Sequence, residues 1–136
     1  MTLISKKLTN LSYMFYNCES LINIDELSKL NTKEVEDFSY LFYGCKKLSN
    51  IDSLKNWNVS KGTNFSHTFF GCSKLQDIKP LEHLDFSKGV DFSDIFKGCL
   101  ISNAQNYIIE IIVNNSQISV SPKKKKAAKN KEEKGI

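Results

Sequence analysis

The chain has 136 residues, room for one domain and none for a second core of useful size. Its 40% apolar and 25% charged content is that of a folded protein and excludes a wholly disordered one. The formal charge of +4 is misleading: all 19 basic residues are lysine, and residues 121–136 alone carry 7 Lys against 2 Glu, so residues 1–120 hold 12 Lys against 13 acids, a net of −1.

The opening MTLISKKLTN lacks the apolar core of about 7 to 15 residues that a signal peptide needs, and no stretch approaches the roughly 18 apolar residues of a membrane span. If Met1 is the natural start, a cytoplasmic location is expected; if the chain is a piece of a longer surface protein, an extracellular or cell-surface one. Residues 1–9 match only the last third of the repeat described next, with Leu3 and Leu8 in its columns, and are read as an incomplete first coil.

Residues 10–102 are repetitive. Cys18, Cys45, Cys72 and Cys99 recur every 27 residues, within aligned blocks NLSYMFYNCESLINI, DFSYLFYGCKKLSNI, NFSHTFFGCSKLQDI and DFSDIFKGC. Asn10, Asp37, Asn64 and Asp91 open each block with the side chains that cap helices, and Asn17, Gly44, Gly71 and Gly98 close it with residues that tolerate left-handed backbone. A helix of under two turns is predicted between them, with Phe15, Phe42, Phe69 and Phe96 pointing inward. Leu21, Leu48 and Leu75, then Ile24, Ile51 and Ile78, then Leu27, Leu54 and Leu81 are read as one extended core segment per coil. Stacked in register they would make a parallel sheet with rungs about 4.8 Å apart. The predicted fold is therefore an α/β solenoid of 27-residue coils, with the sheet on one side and short helices on the other.

Beyond Cys99 the columns stop. Ala104, Tyr107, Ile108, Ile111 and Ile112 fall at helical spacing, so residues 103–120 are read as a capping helix followed by a short strand at Gln117–Val120. Residues 121–136, SPKKKKAAKNKEEKGI, have nothing to bury and are expected to be disordered.

The F-S-x-x-F stretch, the G-C-x-x-L-x-x-I run and the N-W-N-V-S limb, best represented by Tyr40 to Ser60, resemble the BspA-like leucine-rich-repeat family of bacterial surface proteins over residues 10–102. That resemblance implies a binding protein, often an adhesin, and brings no catalytic residues with it.

The chain carries no constellation that calls for catalysis, a cofactor or a metal. The cysteines lie 27 residues apart rather than in the close pairs of zinc sites and read as small buried hydrophobes. His67 and His83 lie in columns otherwise free of histidine, and Gly44, Gly71 and Gly98 form no phosphate loop. The expected function is non-catalytic protein binding by a monomer acting as an adaptor or inhibitor, the latter including a phage or mobile-element inhibitor of a host defence enzyme. An adhesin fragment and nucleic-acid binding through the tail are the alternatives. Two protein-binding faces compete. One is an acidic ladder of Asn23, Asp25 and Glu26, then Asn50 and Asp52, then Asp77 and Lys79; the other is aromatic, with Tyr16, Tyr43 and Phe70 foremost and Tyr13, Tyr40 and His67 beside them. Lys123, Lys124, Lys125 and Lys126 are the only candidates for phosphate contacts.

Overall fold

The structure, a computed structural model, describes residues 7–114. The expectations for residues 1–6, for Gln117–Val120 and for the lysine tail lie outside the described residues.

Each 27-residue repeat makes one coil, and the coils stack in parallel, but the stack is built differently from the α/β solenoid predicted from the sequence. Among the described residues there is no β-strand and no sheet; the three parallel bridges, Asn10 to Asp37, Asp37 to Asn64 and Asn64 to Asp91, are isolated. The helices predicted to open each block are absent too. Regular elements are confined to short 3-10 turns at Asp25–Lys29, Asp52–Leu54, Lys79–Leu81 and Asn103–Gln105 and one α-helix, α1, at Asn106–Asn114. The descriptions leucine-rich repeat and solenoid, which rested on the predicted sheet, fall with it.

The reason lies in the backbone of the Asx-to-Gly blocks. Asn10, Asp37, Asn64 and Asp91 accept the N–H two residues on, from Ser12, Ser39, Ser66 and Ser93, at 2.7 to 3.0 Å. An Asx turn starts this way as readily as a helix does. Three residues into each block the chain turns left-handed, at Tyr13 (φ 63°), Tyr40 (58°), His67 (56°) and Asp94 (50°), and four residues later it does so again, at Asn17 and at Gly44, Gly71 and Gly98. No α-helix passes through a left-handed residue every fourth position. A run of tight turns results, in which Met14 N–H donates to the Leu11 carbonyl, Tyr16 to Tyr13 and Cys18 to Phe15.

The intervening amides point along the stack. Leu11, Tyr13, Phe15 and Asn17 donate to Asp37, Ser39, Leu41 and Tyr43 of the next coil at 2.6 to 3.1 Å, and the second and third coils repeat the pattern. Alternate N–H groups thus close local turns or bridge coils, so the backbone is satisfied without a strand. The limb predicted as the sheet has no such ladder. Asn23, Asn50 and Asp77 accept the amides of Asp25, Asp52 and Lys79 and bend the chain into the 3-10 turns. Side chains tie this limb across coils: Trp57 Nε1 donates to the Leu27 carbonyl at 2.8 Å, Ser53 Oγ to Ile24 at 3.0 Å, and Thr32 Oγ1 to Asn58 at 2.9 Å.

The apolar columns do form the core. Val35, Phe38, Leu41, Phe42, Cys45, Leu48, Ile51, Leu75 and Ile78 are all at most 2% exposed. Phe38, Phe65 and Phe92 stack at 5.1 and 5.2 Å, and Phe15, Phe42, Phe69 and Phe96 at 5.5 to 5.7 Å. Helix α1 sinks Ile108 and Ile112 into this core, while the Gln105 side chain just before it accepts the Ile78 amide at 2.7 Å and donates to Asp77 Oδ1 at 3.1 Å. Among the described residues no helix is long and apolar enough to cross a membrane.

Candidate functional site: a double aromatic ladder

The left-handed residue of each block throws its side chain outward, and the resulting column stacks on itself. Tyr13 lies 4.7 Å from Tyr40, and Tyr40 lies 4.6 Å from His67, both pairs within 4° of parallel. Beside it runs a second column, Tyr16 on Tyr43 at 4.9 Å and Tyr43 on Phe70 at 4.7 Å. The columns lean on each other through tilted contacts of 5.2 to 6.3 Å, as between Tyr13 and Tyr16 and between Tyr43 and His67. These spacings match the separation of hydrogen-bonded chains, about 4.7 to 4.9 Å, so the backbone ladder sets the ring ladder. A left-handed conformation costs a bulky residue about 1 to 3 kcal/mol, which stacking at about 0.5 to 1.5 kcal/mol per pair partly offsets.

Tyr13 and Tyr16 are exposed, at 52% and 43%, while Tyr40, Tyr43, His67 and Phe70 are half-buried. Because the rings face one another, they offer edges and hydroxyls outward. Burial, reinforced by its tyrosine neighbours, raises the Tyr40 hydroxyl above its usual range, so it remains a donor. At the far end of the first column His67 Nε2 lies 3.5 Å from Asp94 Oδ2, and its Nδ1 is buried without a hydrogen-bond partner. Asp94 is the member of this face that the sequence reading did not single out. Its signal was there: Asp, Asn and His are the non-glycine types most often left-handed, and Asp94, Asn17 and His67 all fall in the two left-handed columns.

The other sequence-predicted face is arranged otherwise. Asn23, Asp25, Glu26, Asn50, Asp52, Asp77 and Lys79 are all exposed, but Asn23, Asn50 and Asp77 are committed to their own turns. Glu26 pairs with Lys29 at 3.2 Å and Asp52 with Lys55 at 3.3 Å, which leaves less free negative charge than the sequence suggests. The amide of Lys79 and the side chain of Gln105 hold the Asp77 carboxyl below its usual range. Lys123, Lys124, Lys125 and Lys126 lie outside the described residues.

The thiols form a fourth column. Cys45, Cys72 and Cys99 donate from Sγ to the carbonyls of Phe15, Phe42 and Phe69 in the preceding coil at 3.1 to 3.2 Å. Burial pushes Cys45 up to about 11 and Cys99 up to about 12, and Cys72 rises as well. These are unreactive thiols at neutral pH. Inside the core is an apolar void of about 30 Å³ bordered by Phe38, Trp57, Phe65 and Phe86, too small for an organic ligand.

A sequence profile described as "Mycoplasma protein of unknown function, DUF285" matches residues 5–125. The resemblance to BspA-like leucine-rich repeats is thereby corrected: the match is to this family, and the shared G-C-x-x-L-x-x-I columns serve a stack of turns. No curated protein and no solved structure matches the chain.

Proposed function

Because the chain belongs to the DUF285 family, whose description assigns no function, we propose on physical grounds that it is a non-catalytic protein-binding module that works through the double aromatic ladder. The observation that carries this reading is the alignment of six rings in two stacks on a hydrogen-bonded backbone. Tyrosine supplies large contact area together with a polar tip, and aromatic residues dominate the energy of protein interfaces. Rings already clamped between neighbours lose little further freedom on binding. A protein surface suits ring edges and hydroxyls better than a sugar or base does, since those stack on open ring faces.

The absence of a catalytic role belongs to the same proposal. It is supported by thiols that are buried and held protonated, and by carboxylates spent on their own backbone turns. Within that reading the module acts as an adaptor or inhibitor of its partner.

The test is site-specific photocrosslinking, with the photoreactive residue placed once at Tyr16 and once at Asp52. A lysate of the source cells should yield one crosslinked protein band from position 16 and none from position 52. A band from position 52 alone would move the site to the acidic turns.

A further inference from the structure

The stack ends in two unlike edges. At every joint the amides of one coil donate to the carbonyls of the next. Among the described residues the first coil therefore leaves the carbonyls of Asn10, Ser12 and Tyr16 without an amide donor, and the fourth leaves the amides of Phe92, Asp94, Phe96 and Gly98 without an acceptor. These are the same acceptor and donor rows that join successive coils inside the chain.

The side chains are left open in the same sense. Met14 is 50% exposed, whereas its column mates Leu41, Thr68 and Ile95 are 1%, 4% and 7% exposed, each having a coil before it. At the other end Ser93 and Gly98 are exposed, whereas Ser39, Ser66 and Gly44, each with a coil after it, are buried. The segment leading into α1 is anchored elsewhere, Gln105 bonding Ile78 and Asp77 on the other limb of the third coil.

We propose that a second copy of this chain seats its first coil on the fourth coil of its neighbour, head to tail, continuing across the junction the hydrogen-bond pattern of the interior. In that register Phe96 extends the inner phenylalanine ladder to Phe15 of the next copy, Asp94 and Lys97 meet its Tyr13 and Tyr16, and Met14 is covered as Leu41 is within the chain. A donor row cannot pair with a donor row, so the contact is heterologous and leaves a free edge at each end. Assemblies should grow as open stacks. This inference does not depend on the binding role of the aromatic face, and it replaces the monomer expected from the sequence.

Sedimentation velocity of the full chain over a wide concentration range tests it, with thermal melts to confirm folding. The wild type should grow in mass with concentration. Met14→Lys, which blocks the acceptor edge at an exposed position, should stay monomeric, as should Ser93→Arg, which puts a long charged side chain where Ser39 and Ser66 are covered by the next coil. Mixed in equal amounts, the two variants should form a dimer and nothing larger, because one good edge of each remains. Amide exchange at Phe96 and Gly98 should slow in the wild-type assembly. If one variant loses its melting transition, the variant at the opposite edge carries the test. A wild type that is monomeric throughout, variants that assemble as the wild type does, or a mixture that stays monomeric would each overturn the proposal.

Discussion

The Asx-to-Gly blocks and the limb that follows them share one 27-residue period, yet only the blocks turn that period into a continuous surface. In the blocks, each outward ring touches its equivalent in the next coil, because alternate amides bridge coils and fix the spacing. In the limb, Asn23 and Asn50 bond their own backbone and Glu26 and Asp52 a lysine three residues away, and the contacts between coils are pairs of unlike residues such as Glu34 with Lys61. Sequence repetition becomes a composite site only where like residues meet across the repeat.

The two regions should respond differently to substitution, and the largest effect is expected in the blocks. Phe42→Ala opens the inner ladder at a ring with no exposure and two stacked neighbours, and should lower stability by about 3 to 5 kcal/mol in urea unfolding. In the limb, Trp57→Phe keeps most of the ring and leaves the Leu27 carbonyl without its 2.8 Å donor; a loss of about 1 to 3 kcal/mol is expected. Gly71→Ala places a Cβ on left-handed backbone at φ 75° and should cost about 1 to 2 kcal/mol. Asp52→Ala removes only an exposed pair with Lys55 and should change stability by less than about 0.5 kcal/mol. An effect at Asp52 as large as that at Trp57 would erase the distinction between the regions.

Titration sharpens the same contrast. The Ser93 hydroxyl and amide hold the Asp91 carboxyl below its usual range, and Ser87 does the same for Asp85. A depressed folded value means that the stabilisation is present above the unfolded carboxylate range and is lost as pH falls through the folded value, so melting temperatures should drop below about pH 4. The thiols act in the opposite direction. Their folded values are raised, so stability is intact below the unfolded thiol range, near 8.5, and declines as pH climbs from there toward about 11 for Cys45 and about 12 for Cys99. At pH 8, Cys45 and Cys72 should resist a thiol reagent in the native protein and react on unfolding.

Much of this was legible in the sequence, and the remainder failed for identifiable reasons. The period, the core columns and the left-handed glycines follow from alignment of the chain with itself, as does a C-terminal helix from the spacing of Tyr107, Ile108, Ile111 and Ile112. The exchange of helix and sheet does not, because an Asx side chain accepting the amide two residues on begins an Asx turn and a capped helix alike. Leucines and isoleucines every three residues are read above as an extended core limb, but a strand repeats every two, so that spacing together with Asn23, Asn50 and Asp77 signals a limb that turns. For the aromatic face, the rings were visible as residues, but their stacking depends on left-handed tyrosines, a conformation that tyrosine itself does not announce.

The account rests most heavily on the aromatic face being the working surface, and the most direct measurement is partner retention by three immobilised forms of the chain. These are the wild type, Tyr13→Ala/Tyr16→Ala, which trims two exposed rings, and Asp25→Lys/Asp52→Lys/Asp77→Lys. We expect one protein to be retained by the wild type and by the lysine variant and to be lost, by tenfold or more in affinity at about 1.4 kcal/mol per tenfold, from the tyrosine variant. Retention by the tyrosine variant with loss from the lysine variant would contradict the account and place the site on the acidic turns.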